Sequence, residues 1–175
     1  MAHGDRPGLW TVLGDEPLLM LEAADRIRAT ARAAGFEERT TLTAAGHFDW
    51  MQLARAADCL SLFATRRLIE LRIPGGKPGD AGSEAIRRYC ERLPDETVTL
   101  VSIGSADWST RKTIWFKALD QAGTVIDCNA PATDELPGWI ASRLAAQGQT
   151  ADSQTLAFLA ARFEGNLLAA RQELD

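Results

Sequence analysis

The sequence predicts an α/β domain on a mostly parallel sheet, followed by the start of a small all-α domain. Short β-rich apolar runs alternate with longer stretches of helical periodicity as far as Cys128, which favours strand–helix–strand crossovers. From Asn129 to the end only helical periodicity remains. The 175 residues, 46% hydrophobic and 25% charged, suit a globular chain with one full domain and part of a second.

Leu9 to Gly14 (LWTVLG) reads as a buried strand closed by Gly14 and Asp15. Pro17 stands near a helix start, where Asp15 and Glu16 are suited to cap free N–H groups and oppose the helix dipole. Met20, Ala24, Ile27 and Ala31 fall on one face of that helix, and Gly35 ends it. Thr40 to Thr43 is a short second strand. Asp49 caps a helix that begins at Met51 or Gln52 and runs to Ala57. After Leu60-Ser61-Leu62-Phe63, the run Arg67 to Pro74 alternates Leu68, Glu70 and Arg72 against Ile69, Leu71 and Ile73, as a strand does. Gly75 to Gly82 reads as a Gly/Pro loop and Ser83 to Leu93 as a helix. Thr97 to Ile103 is a strand, Thr110 to Ala122 a helix, and Thr124 to Cys128 the last strand.

Beyond Asn129 to Pro137, three helical stripes follow: Leu136, Ile140 and Leu144; Leu156, Leu159 and Phe163; Leu167, Ala170 and Leu174. Gly148 and Gly165 read as helix stops. An α/β domain and then a small helical one is the layout of the RecA-like AAA+ nucleotide-binding module. The expected boundaries are 1–132 for the α/β domain and 133–175 for a partial helical lid. The end at Asp175, mid-helix and without a cap, suggests a piece of something longer, and Met1 to Gly8 reads as a frayed or added leader.

Several classes drop out on composition. No apolar run approaches the roughly 20 residues that span a bilayer, and the start lacks a secretion-signal core. Cys59, Cys90 and Cys128 are odd in number and lack metal spacing, so reduced, mostly buried thiols in a cytoplasmic protein are expected. His3 and His47 are too isolated for a metal site. Net charge is −5, from 19 basic and 24 acidic residues, with no basic stripe; any DNA contact is expected to be indirect.

The layout calls for a phosphate loop after the first strand, with glycines, a lysine and a Ser or Thr. Instead the strand runs into Gly14-Asp15-Glu16-Pro17-Leu18-Leu19. Two carboxylates stand where phosphate would sit, Pro17 removes a donor, and no lysine follows; helix capping is the favoured role of Asp15 and Glu16. The strand from Arg67 ends in Pro74-Gly75, without an acidic pair for magnesium. In active AAA+ ATPases an arginine commonly follows a glycine of the lid by two or three residues. Here Glu164-Gly165-Asn166-Leu167-Leu168 puts Leu168 in that place. The sequence therefore predicts a module kept for its shape and surfaces, with no cofactor and no metal.

Three segments in order resemble one family: Gly14 to Leu19; Leu60-Ser61-Leu62-Phe63 running into Arg66-Arg67-Leu68-Ile69-Glu70-Leu71; and Glu164 to Ala170. Leu136-Pro137-Gly138-Trp139-Ile140 adds to the likeness. They resemble the delta subunit of the bacterial DNA polymerase III clamp loader, over almost the whole chain from Leu9. The resemblance implies a non-ATPase AAA+ subunit of a DNA-directed DNA polymerase (nucleotidyltransferase) holoenzyme, active in DNA replication. It implies binding to the ring-shaped sliding clamp (beta subunit), favouring the open ring. Leu62 and Phe63 match that family's hydrophobic plug, with Leu60 and Ser61 beside it. It also implies contacts with the other loader subunits, mainly through a third, collar domain absent from this sequence, and no membrane. Exposed apolar anchors within a polar rim are a common recognition device. The plain alternative is that Leu62 and Phe63 pack inward as a helix-to-strand corner.

Trp108 to Lys117 (WSTRKTIWFK) mixes aromatic and basic residues, a pattern that can stack on single-stranded nucleic acid. The favoured reading is a helix with Trp115, Phe116 and Leu119 on the sheet and Arg111, Lys112 and Lys117 in solvent. Ser102 and Ser105 have no triad-like partners. The rivals to clamp binding are a divergent nucleotide-binding α/β enzyme and a scaffold domain without clamp contact.

Overall fold

The computed structural model describes residues 8–58, 66–104 and 106–174. It divides after Cys128 into two compact units. In the first, five strands alternate with helices: β1 (Leu9–Gly14), α1 (Pro17–Ala33), β2 (Glu38–Thr43), α2 (Met51–Asp58), β3 (Arg67–Ile73), α3 (Gly79–Glu91), β4 (Thr97–Gly104), α4 (Ile114–Ala122) and β5 (Gly123–Asp127). All four pairings are parallel, in the order β2-β3-β4-β1-β5. The predicted α/β class with a parallel sheet is what the chain forms.

Strand periodicity divides the core between the two sheet faces. Leu9, Leu13, Ile69, Leu71, Ile73, Val101 and Ile103 point to one face and pack on Leu53, Ile86, Tyr89, Trp115, Phe116 and Leu119. Val12, Leu68, Val98 and Leu100 point to the other, against Ala23, Ala24, Ile27 and Ala31 of α1 and against Phe36. Each of the larger aliphatic side chains contributes about 1.5–3 kcal/mol on full burial. The predicted stripe on α1 holds at Ala24, Ile27 and Ala31, while Met20 is only half-buried and Leu18 and Ala23 complete it. Gly35, at φ +87°, lets the N–H groups of Gly35 and Phe36 reach back to the carbonyls of Arg32 and Ala31.

Several boundaries shift by one to four residues from the sequence expectation, as at β2 and β5, and two differences have a visible physical reason. Helix α3 starts at Gly79, so half of the Gly75–Gly82 stretch read as loop is helical. The reason is packing: a Cβ at Gly82 would lie 2.3 Å from the Trp50 ring, so the position takes glycine inside a helix. The single helix expected over Thr110–Ala122 is two pieces, a 3-10 turn (Thr110–Lys112) and α4. Thr113 is extended between them (φ −69°, ψ 152°), and its hydroxyl accepts the N–H of Phe116 at 3.4 Å. A β-branched hydroxyl residue gains more as an N-cap than as a helix interior residue.

The second unit holds α5 (Leu136–Ala146), α6 (Ser153–Phe163) and α7 (Leu167–Leu174). Leu136, Ile140, Leu144, Ala160, Phe163, Leu167 and Ala170 form its buried positions. Asp152 accepts the N–H of Thr155 at 2.7 Å and Asn166 that of Ala169 at 3.0 Å, capping α6 and α7.

Candidate functional site

Strand order places the crevice to inspect. In an open parallel sheet, ligands bind at the carboxyl ends of strands where the order reverses, here between β1 and β4. Both strands end there in glycine, with Gly14 and Gly104 in register. Neither glycine lines an open cradle. A Cβ on Gly14 would lie 2.1 Å from the carbonyl oxygen of Cys128, and one on Gly104 would lie 2.7 Å from that of Pro74. Close backbone packing fills the space beside both.

The donors of the turn into α1 are engaged from within. The Glu16 N–H donates to the Cys128 carbonyl at 3.0 Å, and the Leu18 N–H donates to the carboxylate of Glu16 at 3.0 Å. Pro17 has no N–H. Glu16 is half-buried and Asp15 exposed, so the mouth of the turn carries two carboxylates. A phosphate there would meet like charge and compete for backbone donors that already have partners. Leu168, in the first turn of α7, is 51% exposed and has no polar atom on its side chain.

The one acid of β3 is occupied elsewhere. Glu70 is 1% exposed and accepts from Arg28 Nε at 2.7 Å and Nη2 at 3.0 Å, and from Arg39 Nη2 at 2.9 Å. Burial alone would raise its pKa, but the guanidinium partners outweigh burial and hold the carboxyl below its ordinary value. It is a structural anion under α1. Among the described residues no cluster of three His, Cys, Asp or Glu side chains is placed to hold a metal ion.

Leu60, Ser61, Leu62 and Phe63 lie outside the described residues, as does Cys59. On the described side of that gap α2 is seen as far as Asp58, β3 is seen from Arg67, and Arg67 Nη2 donates to the Ala57 carbonyl at 2.6 Å. Beside α2 runs a groove of about 590 Å³ between α2 and α3, floored by Phe48, Trp50, Leu53 and Tyr89. Sequence reasoning missed it; its one signal was the closely spaced pair Phe48 and Trp50, whose rings meet edge-to-face at 5.1 Å.

The aromatic–basic stretch resolves mostly as the sheet-facing reading has it. Trp115, Phe116 and Leu119 are buried, whereas Trp108 is exposed with Lys112 Nζ 3.5 Å from its ring centre. Arg111 pairs with Asp127 and lies over the Phe116 ring. The Cys90 thiol is pushed up to about 12 by burial, and burial also raises Cys128, so both are held as unreactive thiols. Among the described residues no helix is long and apolar enough to cross a membrane.

Comparison with known proteins places this geometry in a family. The family model described as DNA polymerase III, delta subunit, matches residues 10–129. The DNA polymerase III subunit delta of Escherichia coli is 31% identical over 166 residues, covering 95% of this chain and 48% of that protein. The subunit delta of Haemophilus influenzae is 27% identical over 170 residues, covering 95% and 49%. The chain thus spans about half the length of these relatives. A solved structure, the Bacillus subtilis DNA clamp loader delta protein, superposes with a TM-score of 0.71 at 19% identity, over 97% of this chain and 52% of that one. At that identity the likeness shows the fold alone, a parallel sheet flanked by helices. The family match covers well over half of the sequence, and the chain belongs to the DNA polymerase III delta subunit family.

Proposed function

We propose that this chain is the clamp-gripping part of a clamp loader delta subunit, which binds the sliding clamp and favours ring opening so that the clamp can be loaded on primed DNA. The observation that carries the reading is the family match over residues 10–129, a span that includes Leu60-Ser61-Leu62-Phe63 between α2 and β3. Leu62 and Phe63 are the proposed anchors, flanked by Leu60 and Ser61. A leucine–phenylalanine pair in a short connection offers a compact apolar plug for a cleft on the partner.

The chain is proposed to be non-catalytic and to bind no nucleotide. The turn Gly14-Asp15-Glu16-Pro17 supports this, because Glu16 and Leu18 have their N–H groups engaged and the turn carries two carboxylates and no lysine. The aliphatic side chain of Leu168 adds to it. Contacts with DNA are assigned to partners, in keeping with the net charge of −5. Contacts with other loader subunits are assigned mainly to parts of such proteins outside the matched span, and the setting proposed is cytoplasmic. The deciding experiment measures binding of the chain to its cognate sliding clamp, with and without Leu62→Ala/Phe63→Ala. Clamp binding that the double substitution leaves intact would overturn the assignment of the anchors.

A further inference from the structure

We propose that the outer edge of β2 is a docking strand for an extended acidic segment of a partner protein, which adds to the sheet with its carboxylates against Arg39 and Arg72. This goes beyond the clamp reading and does not rest on it. β2 ends the sheet, hydrogen-bonded to β3 alone. The Ala44 N–H donates to the Arg72 carbonyl at 2.8 Å, which fixes the phase of the ladder. Main-chain direction alternates along a strand, so Thr40 and Leu42 also turn their N–H and C=O groups to β3. Arg39, Thr41 and Thr43 turn theirs outward. The Thr43 carbonyl accepts from the Ala45 N–H at 3.1 Å. The other outward groups, the N–H and C=O of Arg39 and Thr41 and the N–H of Thr43, have no partner among the described residues.

An open edge is a template for another strand unless something blocks it. β2 has no proline, and its six residues pair one to one with β3, without a bulge. Its guard is charge. On the face towards α1, Arg28, Arg39 and Arg72 all converge on the carboxylate of Glu70. Arg28 also takes Asp25 at 2.7 Å. Three guanidinium groups thus meet two carboxylates, a surplus of one positive charge. The side chains of Arg39 and Arg72 are 42% and 45% exposed. Thr41 and Thr43 are exposed beside them, and Arg72 stands in register with Thr43. Leu42 lies on the opposite face, buried.

That face selects the strand that can be added. A second copy joined edge to edge through β2 would bring a second set of the same arginines to the same face, which opposes pairing. An acidic strand meets the surplus charge instead. In strand addition the main chain supplies the grip and every second side chain the selectivity, so a segment alternating acids with neutral β-formers fits.

The test titrates this chain into a fluorescein-labelled heptapeptide that alternates glutamate with valine, at low salt. Saturable binding that weakens with added salt is expected, and none for the peptide with lysine in place of glutamate. N-methylation of one alternate set of peptide amides should abolish binding, and of the other set should not. Thr41→Pro removes an outward N–H from an edge position that tolerates proline, and should lower affinity about tenfold or more. Arg72→Gln, changing a half-exposed side chain 3.4 Å from Glu70, should lower it about threefold. No saturable binding at millimolar peptide overturns the proposal, as does binding that ignores both variants. Equal tolerance of the two N-methylated sets would leave an anion site and no added strand, which also overturns it. Oligothymidine that binds as well as the peptide would give the face to nucleic acid. A concentration-dependent dimer abolished by Thr41→Pro would give the edge to a second copy, and either result refutes an acidic protein segment. Should Thr41→Pro not fold, Arg72→Gln and the N-methylated pair decide.

Discussion

Arg28 on α1 and Glu70 on β3 meet in a two-pronged ion pair, Nε to Oε1 at 2.7 Å and Nη2 to Oε2 at 3.0 Å, across 42 residues of sequence. Glu70 sits in a central strand with 1% of its surface exposed, and Arg39 on β2 joins it at 2.9 Å. The pair fastens α1 to the sheet face that it covers, and so fixes the helix that follows the Gly14-Asp15-Glu16-Pro17 turn. A buried carboxylate is tolerated there because forked guanidinium donors satisfy both of its oxygens.

Removing the anion should cost much more than removing an exposed pair. Glu70→Gln leaves Arg28 and Arg39 facing a neutral amide, with an expected loss of about 3 kcal/mol at neutral pH. The folded-state carboxyl titrates below its ordinary value of 4.5. Its contribution is therefore complete above that value and is lost as pH falls through the lower folded-state value. The gap between wild type and Glu70→Gln in urea midpoint should narrow from pH 7 towards pH 3. A gap that is constant with pH would show that the charge is not what stabilises.

Gly82 gives a prediction whose sign separates two effects. By helix propensity alone, replacing a glycine inside α3 with alanine should stabilise by about 1 kcal/mol. Here the new methyl would lie 2.3 Å from the Trp50 ring and 2.6 Å from Pro78 Cβ, too close to stand without movement. Overpacking of this kind costs about 1–3 kcal/mol. Gly82→Ala should thus lower the melting temperature, and a rise would show that Trp50 swings aside freely.

That same glycine shows where the sequence stopped being legible. The strands were readable because Leu9–Gly14 and Thr97–Ile103 are short runs rich in β-branched and apolar residues and Arg67–Ile73 alternates. The Gly14–Leu19 turn could be read because missing phosphate-loop residues are visible one by one. Gly82 looked like loop because its partner, Trp50, is 32 positions away in sequence. Glu70 looked like the polar beat of an alternating strand for the same reason, since Arg28 and Arg39 come from other elements. The α2–α3 groove was hidden too, being made by two helices and not by any motif. Local chemistry is written along the chain; side-chain partners brought together by crossovers are not.

Nucleotide should leave the chain unmoved. If the turn after β1 bound magnesium-ATP, ligand at 100 times its Kd would add about 2.7 kcal/mol to stability, a readily measured rise in melting temperature. With Glu16 and Leu18 N–H groups already engaged and Asp15 and Glu16 at the crevice, no shift is expected at millimolar ATP or ADP. A clear shift, or turnover of ATP, would put the rival divergent-enzyme reading ahead.

Leu62 and Phe63 carry the functional reading, and their two possible roles predict opposite pairs of measurements. As clamp anchors, each truncation to alanine should cost on the order of 2–4 kcal/mol of binding, about a 30- to 1000-fold loss of affinity. The melting temperature of the chain should hardly change, because residues that serve a partner contribute little to the host fold. As an inward-packed corner, Phe63→Ala alone should cost about 3–5 kcal/mol of stability and touch clamp binding only through unfolding. Melting temperature and clamp affinity measured on the same double variant therefore decide the matter. A protein that melts early yet binds the clamp normally while folded would take the site away from these two residues. One that melts like wild type and no longer holds the clamp would leave the plug as the source of the grip.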